Sequence, residues 1–216
     1  MLFRSGLEDR IRPGAKGVVE RLRELEVREV AVYTGDRFAV ARRVGAFVGA
    51  DRVEAECLPE EKHELIRGLV GSGYRVMMVG DGINDGPSLA QADVGVAMGL
   101  GGSDIAANSA GVALMNDDLS RVPFLIELAR RTRTIITQNI AASIVIVLIG
   151  LILAATGNLA VPLAAGYHFV GEIFVIGNSF RLFRFGEGFA EAEASASQPA
   201  LRRRAASIRG LAPQPA

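Results

Sequence analysis

Two carboxylates, one amide and three glycines fall within seven residues of this chain, in the stretch Gly80-Asp-Gly-Ile-Asn-Asp-Gly86. The apolar run Tyr74–Val79 just before it reads as a short buried strand. Asp81 and Asp85 then sit on a tight turn that the glycines permit. A strand ending in an acidic, glycine-rich loop suits the holding of a divalent cation beside a phosphoryl group. Mg²⁺ prefers carboxylate and water oxygens, and the Asn84 amide supplies a donor for a phosphate oxygen. A lone Asp-Gly pair would be an ordinary surface turn. The concentration of Asp, Asn and Gly behind a buried strand argues for the cation site instead.

Two further groups stand at comparable places. Thr34-Gly35-Asp36 closes another strand-like run, Val30–Tyr33, and Lys62 opens a helical pattern in Leu58-Pro-Glu-Glu-Lys62. Each is commonplace by itself; together they add a hydroxyl and an ammonium to the paired carboxylates. The surrounding elements alternate. Helical stripes are predicted over 14–25, where Val18, Val19, Leu22 and Leu25 share a face, over 37–48, and over 60–69 after Pro59. Strands are predicted over 30–33, 74–79, 94–98 and 111–115. This alternation implies a parallel α/β sheet with helices on both faces. Ligands of such sheets bind at the carboxyl ends of strands, which Thr34 and Asp81 directly follow.

The 216 residues carry 24 basic and 24 acidic side chains, so no global field points to nucleic acid. Half the residues are hydrophobic and the mean hydropathy is positive, which indicates membrane segments. Cys57, the single cysteine, excludes an internal disulfide and fits a reducing compartment. No base is paired with it locally, so it reads as a small buried apolar residue rather than a nucleophile. Asp117 or Asp118 can cap a helix that continues as an amphipathic connection over 120–139, with Arg130, Arg131 and Arg133. Ile140–Ala155 is apolar apart from Ser143, and a second apolar segment, Leu159–Ile176, follows a Gly157-Asn158 turn. Basic residues flank both outer ends, Arg181 and Arg184 at the second, so both ends are placed in the cytoplasm. The expected organisation is a partial α/β domain over 7–119, a transmembrane helical hairpin over 140–180, and a disordered cytosolic tail over 185–216.

The ordered set Thr34-Gly35-Asp36, Lys62 and Gly80-Asp-Gly-Ile-Asn-Asp-Gly-Pro87 resembles the haloacid-dehalogenase superfamily. With Asp9-Arg-Ile-Arg-Pro13, Ala92-Asp-Val-Gly-Val-Ala-Met98 and Ala113-Leu-Met-Asn-Asp-Asp-Leu119 it is similar, more closely, to the phosphorylation domain of P-type ATPases. The resemblance runs from about residue 7 to about residue 182. It implies an α/β, haloacid-dehalogenase-like parallel sheet, the use of ATP and Mg²⁺, and transfer of the γ-phosphoryl group to an aspartate. On that basis Thr34 would hydrogen-bond the phosphoryl oxygens, Lys62 would neutralise them, and Asn84 would contact them. Asp81 would bind Mg²⁺ directly, and Asp85 would hold Lys62 or the metal shell. Gly35 and Asp36 complete the phosphate-facing turn, Asp36 by ordering it. The family's phosphorylated Asp-Lys-Thr-Gly-Thr motif occurs nowhere in these residues. The sheet is therefore expected to be incomplete, its first strand missing and the neighbouring edges unpaired. The expectation is the carboxy-terminal portion of a longer pump. Its partners would be the missing amino-terminal half, the lipid bilayer of the cell membrane and a transported divalent heavy-metal cation.

Two membrane helices followed by a tail, and the ending Asn178-Ser-Phe-Arg-Leu182, resemble the heavy-metal-transporting subgroup. His168 and Glu172, four residues apart, share a helical face, and such a pair inside a span is costly and usually functional. Imidazole with carboxylate suits Zn²⁺, Co²⁺, Cu²⁺, Ni²⁺, Mn²⁺ or Fe²⁺, which makes His168 and Glu172 candidate ligands of the transported ion. The alternative is an interfacial histidine bonded to backbone. Two other readings stand beside the pump: a catalytically silent, membrane-anchored regulatory or split-pump module, and a tethered phosphatase. The phosphatase would need an Asp-x-Asp nucleophile pair, which the sequence lacks.

Overall fold

The computed structural model describes residues 11–12, 14–80, 84–99, 109–114 and 118–209. Asp9, Pro13, Asp81 and Asp117 lie outside them. Among the described residues nine elements come first: α1 (Ala15–Glu24), β1 (Ala31–Tyr33), α2 (Phe38–Val48), β2 (Arg52–Glu54), α3 (Pro59–Gly71), β3 (Met77–Gly80), α4 (Gly86–Gln91), β4 (Val94–Met98) and β5 (Val112–Leu114). Two long helices follow, α5 (Arg121–Ala155) and α6 (Val161–Arg209). The chain divides into two compact units, Met1–Leu125 and Ile126–Ala216.

Among the described residues of the first unit all strand pairings are parallel, and they form two sheets. β1 pairs with β2, and β3, β4 and β5 lie side by side in that order. The split agrees with an incomplete sheet: among the described residues β1 and β3 each keep one unpaired edge. β4 is the central strand, with Val96, Ala97 and Met98 at 0%, 3% and 6% exposure. That accounts for its unbroken apolar sequence. Ile66 of α3, Met78 of β3, Leu89 of α4 and Ala97 of β4 make the core, with Tyr33 packed against it.

Some bounds differ from expectation. β2 and α4 were not anticipated; three and six residues are too few to establish a period. β3 begins at Met77 rather than Tyr74, because α3 ends in a Schellman turn at Gly73 (φ 84°), where Tyr74 N–H donates to Leu69 O. The amino ends of the strands share one device. Asp51, just before β2, accepts from Val30 N–H (2.9 Å) and from Arg23 (2.9 Å). Asp93, just before β4, accepts from Val76 N–H (2.9 Å) and from Arg75 (2.9 Å). In each sheet a carboxylate thus locks the entry of the neighbouring parallel strand. These bonds hold both carboxyls below the usual range, with the backbone N–H the larger cause.

The expected connection and first span are one continuous helix, α5, entered after Asp118, whose carboxylate accepts from Ser120 N–H (2.9 Å). α5 is the one helix among the described residues long and apolar enough to cross a membrane. The second expected span, Leu159–Ile176, falls in α6 from Val161 on, where His168 and Glu172 lower the hydropathy. Ile144, Val147, Leu148, Leu151 and Ile152 are all more than half exposed, as suits a lipid-facing surface. α5 ends in a second Schellman turn: Gly157 (φ 74°) donates to Ala154 O, and Asn158 N–H donates to Leu153 O. Of the expected tail over 185–216, residues 210–216 lie outside the described residues and the rest is helical. α6 continues to Arg209, as Ala, Glu and Arg favour helix.

Candidate phosphate site

Lys62 lies in the first turn of α3. Pro59 opens that helix, and the Glu61 carboxylate accepts from Leu58 N–H (2.8 Å), which fixes the entry. The Lys62 ammonium reaches Asp85 Oδ1 at 3.0 Å, with only 15% and 13% of the two side chains exposed. Asp85 stands at the amino end of α4, where an aspartate ordinarily caps. Here it makes no capping bond, and its carboxylate turns to Lys62 instead. Gly80 makes room for it: a Cβ there would stand 2.7 Å from Asp85 Oδ2. The glycine that ends β3 therefore lets the carboxylate fold over the strand end.

Past β1 the turn closes on itself. Thr34 Oγ1 donates to Asp36 Oδ2 (2.9 Å) and accepts from Asp36 N–H (3.1 Å). Backbone bonds tie the turn to the exit of β2: Thr34 N–H donates to Glu54 O, Glu56 N–H to Asp36 O, and Cys57 N–H to Thr34 O. Burial, then the charges of Glu54 and Glu61, push the Cys57 thiol up. That disfavours the thiolate a nucleophile needs.

Gly35, Asp36, Lys62, Asn84 and Asp85 line one cleft of about 600 Å³, together with Arg12, Val79, Gly80, Met98 and Leu119. Five of the anticipated residues thus meet at the carboxyl ends of β1 and β3. Thr34 borders the cleft in sequence but does not line it, its hydroxyl being engaged by Asp36. Asp81 lies outside the described residues. Arg12 was not singled out; its signal was its place in Asp9-Arg-Ile-Arg-Pro13. The lining offers carboxylate and amide oxygens with cationic groups close by. That donor set fits Mg²⁺ beside a phosphate that a lysine neutralises as a point charge.

The second unit holds the other anticipated pair. His168 Nε2 and Glu172 Oε1 are 3.4 Å apart on α6, with 76% and 58% of the side chains exposed. No group of three or more His, Cys, Asp or Glu residues poised to hold a metal occurs among the described residues.

The haloacid dehalogenase-like hydrolase family matches residues 2–93. The chain is 45% identical over 179 residues to a zinc-exporting P-type ATPase of Mycobacterium marinum, covering 83% of this chain and 24% of that protein. It is 43% identical to a manganese-exporting P-type ATPase of Mycobacterium leprae, covering 83% and 25%. A crystal structure of a zinc-transporting PIB-type ATPase in the E2.Pi state aligns with a TM-score of 0.73 at 32% identity, covering 81% of this chain and 28% of that one. The chain spans about a quarter of the length of the curated relatives it matches.

Proposed function

We propose that this chain, a haloacid dehalogenase-like domain related to the heavy-metal-transporting P-type ATPases, is part of an ATP-driven heavy-metal cation pump. The supporting observation is the Lys62–Asp85 pair, largely removed from water, on a cleft at the carboxyl ends of two parallel strands. Phosphoryl transfer asks little of a protein beyond positioning and charge neutralisation. Lys62 would neutralise the phosphoryl oxygens, with Asp85 holding its ammonium in place. Asn84 would donate to a phosphoryl oxygen, the Thr34-Gly35-Asp36 turn would present its backbone to the same group, and the Thr34 hydroxyl would reach it on turning away from Asp36. Asp81 and Asp85 would hold Mg²⁺, which when bound supplies further neutralisation of the phosphates. No Asp-Lys-Thr-Gly-Thr occurs in the 216 residues, so the phosphorylated aspartate would come from protein outside them.

The chain would lie in the cell membrane and cross it twice, through α5 and the first half of α6, with the α/β unit in the cytoplasm. His168 and Glu172 would contribute to the path of the transported cation. An imidazole with a carboxylate fits the zinc and manganese of the relatives.

The test is phosphorylation. The chain combined with an amino-terminal section carrying Asp-Lys-Thr-Gly-Thr, given ATP and Mg²⁺, should form an acid-stable, hydroxylamine-labile phosphoprotein. The 216 residues alone should form none, and Asp81→Asn should abolish the signal in the combination without lowering expression. Label on the isolated chain, or normal turnover of the Asp81→Asn assembly, would refute this reading.

A further inference from the structure

The partly buried positions of α5 beyond its first turns include Asn139, Ala142, Ile146 and Gly150, and those of α6 include Tyr167, Val175 and Asn178, with Gly171 fully buried. Both sets repeat every three or four residues, as in a heptad seam. The contacts run in one antiparallel register. Asn178 Nδ2 donates to Asn139 Oδ1 at 2.8 Å. Seven residues further along α5, and seven back along α6, a Cβ on Gly171 would touch Ile146 Cγ2 at 3.3 Å. Four more in each direction, a Cβ on Gly150 would meet the Tyr167 ring at 3.0 Å, and Tyr167 Oη donates to Ile146 O at 2.6 Å.

We propose that the amide cluster at one end of this seam is a clasp that sets the register of α6 on α5. Asn139 Nδ2 donates to Ser179 Oγ (3.0 Å), and Arg181 Nη1 donates to Asn178 Oδ1 (3.1 Å) and to Gln138 Oε1 (3.4 Å). Asn139 and Asn178 therefore each give and accept across or along the seam. Lipid supplies no hydrophobic drive for helix pairing, so small residues and polar bonds decide how helices meet. Away from the Tyr167–Gly150 contact, the apolar seam is permissive: a slip of one turn exchanges one Ile, Ala, Gly or Val contact for another. The clasp is not. Sliding α6 by four residues sets Asn178 against Ile135 or against the single hydroxyl of Ser143, which leaves amide groups unsatisfied. Asn178 and Asn139 are positioning residues. The helix face they orient carries His168 and Glu172, each one residue past a seam position. The clasp itself does not rest on the transport reading.

The experiment uses the full chain in lipid vesicles with Cys57→Ser and two cysteine pairs sharing Val175→Cys. Ala142→Cys with Val175→Cys reports the observed register, and Ile146→Cys with Val175→Cys reports a slip of one turn. In the parent the first pair should form a disulfide in preference to the second. With Asn178→Leu that preference should fall about tenfold, the scale of one interhelical polar bond in lipid, while helix content by circular dichroism stays unchanged. Asn178→Gln, which keeps an amide, should restore part of it. An unaltered preference in Asn178→Leu would overturn the clasp. Loss of both crosslinks together with helix content would overturn it too, because a register device must leave its helices formed.

Discussion

The two sheets of the α/β unit are built alike at their amino ends and differently at their carboxyl ends. At the amino ends Asp51 and Asp93 do the same work, each accepting one strand-entry N–H and one arginine. At the carboxyl ends the β1 side closes a Thr34–Asp36 turn on itself, while the β3 side sends Asp85 across to Lys62 of α3. One end is a repeated structural lock, tolerant of solvent. The other brings unlike groups together over a cleft. In this unit, repetition marks what holds the strands, and asymmetry marks what could meet a ligand.

Charge removal separates the two ends most sharply. In the pump proposed above, Lys62→Ala should slow phosphoenzyme formation by about 10²- to 10³-fold, the usual worth of one group aimed at developing charge. It should also destabilise the unit, because Asp85 is left largely buried without its partner. Arg75→Ala removes an equal charge at the amino end, where the side chain is 91% exposed, and should leave the rate within about twofold, as exposed pairs contribute little. Rapid-quench measurement of the phosphoenzyme compares them. Similar rates for the two variants would erase the distinction between the ends.

Helix-to-sheet packing gives a second contrast. A Cβ on Gly95 of β4 would overlap the backbone of Leu89, coming within 3.0 Å of its carbonyl carbon, whereas a Cβ on Gly45 of α2 would overlap the Val53 side chain. Backbone cannot step aside as a side chain can. Gly95→Ala should cost about 3 kcal/mol and Gly45→Ala about 1–2 kcal/mol, the range for overpacked cores. The thermal midpoint of the α/β unit would rank them, and the reverse order would place the stiffer packing in the β1–β2 sheet.

The legible parts of the fold were those with a long enough period. The stripe of α2 and the apolar run of β4 announced themselves. Arg52-Val-Glu54 did not, because three residues with two charges look like loop until Ala31–Tyr33 is placed beside them. Of the site, the groups followed from strand ends and helix starts, but their partners did not. Lys62 and Asp85 are 23 residues apart, and their meeting depends on α3 packing beside α4, where His63 Nδ1 also lies 3.2 Å from Pro87 O. The inward turn of the Thr34 hydroxyl is a rotamer choice, which no spacing encodes. α6 went the other way. Its Ala-rich end has the composition of a loose tail, yet helix propensity continues the helix started by the seam.

The smallest expected effect tests whether the two amino-end locks are equivalent. Both carboxyls titrate below their ordinary values when folded. A depressed folded pKa contributes stability that is fully present above the unfolded value, about 3.9 for aspartate. It is lost as the pH falls from there through the folded value, because over that interval the unfolded chain holds a proton that the native state does not. Asp51→Asn and Asp93→Asn should each lower the denaturation midpoint slightly at pH 7. Each should also flatten the loss of stability below about pH 4, and the double variant should flatten it by the sum, since the two locks share no partner. Midpoints measured from pH 7 to pH 2.5 would show this. If only one variant changes the acid slope, the resemblance between the two sheets is geometric and not energetic, and the shared hydrogen bonds would then rank below the arginine partners as the source of the lock.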